Sequence, residues 1–200
     1  MLILILLSFS VSVLSFASCV QKDISRSVIR FHVKANSDTD FDQAIKLKVR
    51  NKAVSFLSPK LKDAKSVEES VFIIEKNIFE LKNAVNEYLK ENNLPYSATV
   101  YLDKKSFPTK SYENVTLPAG NYNALCIDLG KAEGENWWCV MFPPMCFTDN
   151  SVKLTQTSEQ YLKQNLSKES YYIISSNEEQ ITTVYRFKIF DYLQNIKKFF

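Results

Sequence analysis

The chain has 200 residues, 46 % hydrophobic and 24 % charged, which suits one globular domain able to bury a real core. A formal net charge of +3 argues against nucleic acid as a partner, because an electrostatic footprint needs a clustered basic stripe rather than a slight excess. The three glycines, Gly120, Gly130 and Gly134, spell neither GxGxxG nor GxxxxGK[ST], so phosphate-cradling nucleotide enzymes drop out.

Residues 1–17, MLILILLSFSVSVLSFA, carry no charge and are short for a permanent membrane helix of about 20 residues, which predicts an export segment. Ser15-Phe16-Ala17 places small residues at the two positions a signal peptidase reads and predicts cleavage after Ala17, although no Lys or Arg precedes the apolar stretch. Two other readings stand beside it: a lipoprotein-type box with Cys19 lipidated, which Phe16 fits poorly, and an uncut N-terminal anchor. All three place residues 20–200 outside the cytoplasm.

VIRFHVK (28–34) alternates like a half-buried strand with Ile29, Phe31 and Val33 as its core face. Asn36-Ser37-Asp38 supplies turn and N-cap residues, with Asp38, Asp40 and Asp42 near the positive end of the next helix. That helix has a predicted buried stripe of Phe41, Ile45, Val49, Ala53 and Phe56 with Ala44 and Val54 beside it, leaves Lys46, Lys48, Arg50 and Lys52 mostly outside, and closes at Pro59. Ser66-Val67-Glu68-Glu69 fits a capping box opening a long helix to about Asn92. Val67, Val71, Ile74, Ile78, Leu81, Val85 and Tyr88 form its buried stripe, widened by Phe72, Ile73, Phe79 and Leu89.

From Ser97 the period switches to that of strands: ATVYLDKK, SYENVTL, YNALCIDLG and NWWCVMF, separated by turns and, given the short connections, antiparallel. A weak helical pattern follows near Glu159 to Leu166, and 184–200 forms an amphipathic helix with Val184, Phe187, Phe190, Leu193 and Ile196 on one face. That helix docks on its own domain or is presented to a membrane surface or a partner groove. The expected architecture is α+β: one domain over residues 28–200, with a mainly antiparallel sheet of about five strands packed against two long helices and a C-terminal amphipathic helix.

Catalytic chemistry finds little support. His32, the single histidine, shares a strand face with Arg30 and Lys34 and reads as partly exposed or locally bonded rather than as a general base. Three cysteines and one distant histidine lack any CxxC pair, so no metal site is expected. Asp38-x-Asp40-x-Asp42 begins like a calcium loop but has Gln43 at its sixth position and Val49 at its twelfth, and the match fails. No cofactor is implied. A cysteine hydrolase remains as an alternative, pairing His32 with Cys126, Cys139 or Cys146.

In an exported chain Cys139 and Cys146, flanking a loop with Pro143-Pro144, are candidates for a local disulfide, and Cys126 reads as a small buried hydrophobe. The strand 137–142 points Trp137, Cys139 and Met141 one way and Trp138, Val140 and Phe142 the other, which is dry on both sides only if the sheet is covered twice. One reading makes both tryptophans packing residues, one sealing the core and the other lying under residues 149–183. The other makes one of them, with the Pro-Pro corner, an exposed aromatic patch of the kind that anchors protein interfaces.

The run IRFHVKANSDTDFDQAIKLKVRN (29–51), GNYNAL (120–125) and GENWWCVMFPPMCF (134–147) together resemble the stage II sporulation protein R family of endospore-forming bacteria. That resemblance implies a non-enzymatic signal, made in the forespore and exported into the space between the forespore and mother-cell membranes. It further implies action on the membrane-embedded sigma-E processing peptidase, an aspartic protease, which then cleaves pro-sigma-E. The candidate contact residues are Trp137, Trp138, Pro143, Pro144 and Phe147, with Arg30, His32, Asn36, Asp38 and Arg50 as a second, polar group. Within that group Asn36 and Asp38 also read as turn caps, and Arg50 as half of a simple ion pair. A structural envelope protein that binds membrane through 184–200 is the other alternative.

Overall fold

The computed structural model describes the backbone of residues 2–146 and 154–175 and, within them, the side chains from Val11 onward. In chain order the elements are α1 (Leu2–Arg26), β1 (Ile29–Lys34), α2 (Asp40–Leu61), α3 (Val67–Glu91), β2 (Ala98–Phe107), β3 (Lys110–Tyr112), β4 (Val115–Leu117), β5 (Gly120–Leu129), β6 (Asn136–Phe142), α4 (Gln156–Asn165) and α5 (Lys168–Ser175). The fold is α+β. Phe147 and the proposed helix at 184–200 lie outside the described residues.

The main sheet has four strands in the order β2-β5-β1-β6. Its contacts are antiparallel for β2 with β5 and for β1 with β6, and parallel for β1 with β5. The α2–α3 hairpin lies in the long connection that a parallel pair requires. SYENVTL is not a sheet strand as expected. It folds into β3 and β4, a separate two-stranded hairpin with Lys110 opposite Leu117 and Tyr112 opposite Val115, turning at Glu113 in the left-handed region at φ 48°.

Both faces of the sheet are covered. On one, α2 and α3 bury Ile29, Phe31, Val33, Leu125, Ile127, Cys139 and Met141. On the other, the C-terminal part of α1, the β3–β4 hairpin, α4 and α5 bury Ala124, Cys126 and Val140 with Val20, Ile24, Tyr112, Leu117, Leu162 and Ile174. This double cover corrects the half-buried reading of β1, since Arg30 and His32 point into the second core instead of toward water. Phe142 departs from simple alternation because Ile29 pairs with Phe142 while Arg30 pairs with Val140. Met141 is thus an extra residue, a bulge that returns Phe142 to the helix side.

The helices differ from expectation in which stripe they bury. Thr39, rather than Asn36, Ser37 or Asp38, caps α2, its hydroxyl accepting from the Asp42 amide, and α2 runs two residues past Pro59 to Leu61. Its buried face includes Asp42, Lys46 and Arg50 together with Ile45, Val49, Ala53 and Leu57, whereas Phe41 is exposed. Ser66 caps α3 as predicted, accepting from the Glu69 amide at 3.1 Å. The Glu69 carboxylate reaches back to the Lys65 amide at 2.9 Å. Phe72 and Phe79, expected in the α3 stripe, are 65 % and 71 % exposed; α3 packs on α2 and β2 along the narrower row Ile74, Leu81, Val85 and Leu89.

Candidate partner-binding site

The corner after β6 is closed covalently. Cys139, inside the strand, is bonded to Cys146 with their Cα atoms 6.0 Å apart, and the Met145 amide returns to the Val140 carbonyl at 3.3 Å. Pro143 is buried beneath this return and Pro144 is exposed at its apex, after a cis Phe142–Pro143 bond. The chain thus presents Pro144 on a turn fixed at both ends.

Trp137 and Trp138 flank this edge strand on opposite faces, each half-buried. On the helix side the Arg50 guanidinium stands over the Trp137 ring, 4.3 Å from its centroid. Asn51 holds that guanidinium, its Oδ1 accepting from Arg50 Nε at 2.9 Å. A cation over an indole contributes about 0.5–2 kcal/mol, and the ring shields a charge that α2 otherwise buries. Trp137 Nε1 has no hydrogen-bond partner among the described residues.

On the other side Trp138 stacks on His32, with centroids 5.2 Å apart and planes 15° from parallel. Phe107 meets Trp138 edge-on at 4.7 Å. The same Phe107 ring lies under Arg30, which is 0 % exposed and is enclosed further by Tyr122 and Tyr112 at 5.0 and 5.6 Å. Arg30 Nη2 donates to the Tyr112 hydroxyl at 3.0 Å, and its Nε and Nη1 find no partner among the described residues. Burial draws the Arg30 pKa down, with Tyr112 and Tyr122 acting the other way. Burial also pulls the His32 pKa below its ordinary value, outweighing the attraction of Asp128. His32 is therefore a neutral packing ring at neutral pH.

Asn36 and Asp38 do something else. Asn36 Oδ1 accepts from the Lys131 amide at 3.0 Å and Asp38 Oδ1 from the Glu135 amide at 2.6 Å, so the two side chains stitch the β5–β6 turn to the β1–α2 connection. Gly134 allows the close approach: a Cβ there would stand 2.2 Å from the Ser37 carbonyl oxygen. Beneath them Asp42 accepts from Asn36 Nδ2 at 2.8 Å, Ser37 Oγ at 2.6 Å and Tyr96 Oη at 2.6 Å. Burial pushes the Asp42 pKa up, but those donors together hold it below the usual carboxylate value. Lys46 donates to the Gln43 side chain and, at 3.1 Å, to the Glu135 carbonyl. The five polar candidates therefore form no single surface: Arg30 and His32 sit in the second core, Arg50 under Trp137, and Asn36 and Asp38 at the end of the sheet.

The thiols also fall into place. His32 and Cys126 are register partners across β1 and β5, yet the Cys126 thiol turns to the Ala124 carbonyl at 3.6 Å. Burial pushes its pKa up to about 12, the opposite of what a thiolate nucleophile needs. The other two candidate thiols are consumed by the disulfide.

The family described as stage II sporulation protein R matches residues 25–152, a stretch that runs from the end of α1 through the whole sheet and the Cys139–Cys146 corner. The chain belongs to the stage II sporulation protein R family. It is 41 % identical over 128 residues to stage II sporulation protein R of Bacillus subtilis (strain 168), covering 64 % of this chain and 57 % of that relative. The match thus spans less than two thirds of the relative's length. No solved structure matches the chain.

Within the family-matched stretch, reading the sequence alone missed Phe107, the ring shared by Arg30 and Trp138, as well as Asn51, Tyr96 and Tyr112. These act through side chains distant in sequence, and nothing local marks them. The buried charges of α2 had a legible signal: Asp42, Lys46 and Arg50 recur every fourth residue and so share the face of Ile45 and Val49.

Proposed function

We propose that the protein is an exported sporulation signal of the forespore, acting in the space between the two membranes to switch on the membrane-embedded sigma-E processing peptidase of the mother cell. The observation that carries this reading is the family match across residues 25–152, which takes in the first strand, the helix hairpin and the whole NWWCVMFPPMC edge. The Cys139–Cys146 bond supports export, since such bonds persist in oxidising compartments. The buried, high-pKa Cys126 thiol weighs against the cysteine-hydrolase alternative.

Such a signal works by binding the active arrangement of the peptidase more tightly than the inactive one, for instance by holding two copies together. The contact surface is the disulfide-closed corner, with Pro144 at its apex and the half-exposed edges of Trp137 and Trp138 beside it. The rings are seated on Arg50 and His32, so their geometry is set before binding and little conformational entropy is lost there.

The test is co-expression of the exported protein with the peptidase and pro-sigma-E in a non-sporulating host. The intact chain produces cleaved sigma-E, and Pro144→Lys abolishes cleavage while the exported variant keeps its melting temperature. Absence of cleavage with the intact, folded chain beside its cognate peptidase would refute the signalling reading. Normal cleavage with Pro144→Lys would refute the corner as the contact.

A further inference from the structure

The main sheet ends in two edge strands, β2 and β6, and they are finished differently. Along an antiparallel strand, residues turn their N–H and C=O groups alternately toward the partner strand and away from it. At the start of β2 the Gly130 amide donates to the Ser97 carbonyl at 2.9 Å, so Ser97, Thr99 and Tyr101 face β5, and Ala98, Val100, Leu102 and Lys104 face outward. That edge is blunted. Asn86 takes both groups of Ala98, its Oδ1 accepting from the amide at 2.7 Å and its Nδ2 donating to the carbonyl at 3.1 Å. The Lys104 amide donates to Asp103 Oδ1 at 2.8 Å, and Lys104 and Lys105 add the charge that natural edges use against further pairing.

β6 has no such finish. The Ala35 amide donates to the Glu135 carbonyl at 3.4 Å, and the Met145 amide, beyond the corner, donates to the Val140 carbonyl at 3.3 Å. Each bond independently sets the same phase: Glu135, Trp137 and Cys139 face β1, whereas Asn136, Trp138 and Val140 face outward. Among the described residues nothing bonds the outward N–H and C=O of Asn136 or Trp138, and the strand NWWCVMF carries no charge. Trp137 and Trp138 stand half-buried on opposite faces at this same point. A strand laid against the edge would run between the two indoles and stop at the Pro144 corner, where Met145 has taken the next carbonyl.

We propose that the partner is recognised by strand addition: an extended segment of the peptidase pairs with the outer edge of β6 at Asn136 and Trp138. The open edge presents donors and acceptors at the spacing of an extended backbone, which another extended backbone matches. The occupant is a continuous apolar run rather than an alternating one, because its successive side chains meet Trp137 on one face and Trp138 on the other. Strand addition rests on the signalling reading, and it continues the contact corner along the strand that leads into it.

Backbone hydrogen exchange, read at single residues by mass spectrometry with electron-transfer fragmentation, tests this in the exported protein alone and with the sigma-E processing peptidase in nanodiscs. In the protein alone the Asn136 and Trp138 amides exchange at least about tenfold faster than those of Trp137 and Cys139, which face β1. Equal protection at all these positions would show that the chain itself covers the edge, and would overturn the inference. With the peptidase added, the Asn136 and Trp138 amides slow by about tenfold or more. Asn136→Pro removes an outward N–H and no ladder bond, a place where an edge strand accepts proline. The variant therefore melts within about 4 °C of the parent and yields no cleaved sigma-E in the co-expression assay. Binding and cleavage by the intact chain with unchanged exchange at Asn136 and Trp138, or full cleavage by Asn136→Pro, would overturn strand addition and leave the signalling reading standing. Loss of the fold in Asn136→Pro would overturn the outward phase of β6. No binding and no cleavage by the intact chain would refute the signalling reading itself, and strand addition with it.

Discussion

Reducing the Cys139–Cys146 bond is the sharpest perturbation of the proposed contact corner, and its magnitude follows from chain entropy. The bond joins residues 7 apart in sequence, and closing a loop of roughly this length removes about 2.4 kcal/mol of unfolded-state entropy at 25 °C. Burial adds little to the change, because Cys139 and Cys146 are both core residues and a buried thiol remains a small hydrophobe. For a domain of this size that loss corresponds to a fall in melting temperature of about 5–10 °C. The assay is thermal unfolding by circular dichroism of the exported protein with and without reductant, beside the Cys139→Ala/Cys146→Ala double variant. Reductant should lower the first melting temperature toward that of the double variant and leave the second unmoved. A shift below about 2 °C after mass spectrometry confirms full reduction would refute the loop-entropy reasoning. So would a shift in the double variant, which would point to the remaining sulfurs.

Acid should weaken the fold through His32, whose pKa burial holds below the ordinary 6.5. Its contribution is complete above that value and is lost as pH falls toward the folded pKa, so stability drops between pH 7 and 5, and His32→Phe, which keeps the stack on Trp138, should flatten that slope in urea titrations. Arg30→Met should fold with an unchanged or higher melting temperature, because a buried guanidinium without a carboxylate carries a large desolvation cost, whereas Arg30→Ala opens a cavity and costs about 2–4 kcal/mol; equal losses would contradict this. Tyr96→Phe should cost about 1.5–3 kcal/mol by deleting the 2.6 Å bond to Asp42. That cost should nearly vanish in an Asp42→Ala background, and a double-mutant cycle without coupling would show that the bond contributes nothing.

Local chemistry made much of this protein legible in its sequence. The strand β1, the Ser66 capping box, the long α3 and the Cys139–Cys146 pairing each follow from a few neighbouring residues, because periodicity, caps and short loop closure act over one or two turns of chain. The alternation of Trp137 and Trp138 to opposite faces follows in the same way, and so does the requirement that a sheet with both of those faces apolar be covered twice. What the sequence could not supply is the full set of elements that forms the second cover. The β3–β4 hairpin, α4 and the last turns of α1 cover the second face, so Arg30 and His32, polar by type and outward by pattern, became core. The position of β1 is likewise non-local: the short β5–β6 connection suggests a direct antiparallel pair, yet β1 lies between the two strands and pairs with both. The candidate polar group dispersed for the same reason: a strand sends alternate residues to opposite faces, and only the tertiary structure decides what waits on each. Asn36 and Asp38 found backbone amides of the β5–β6 turn, Arg50 found Trp137, and Arg30 found three aromatic rings drawn from β2, β3 and β5.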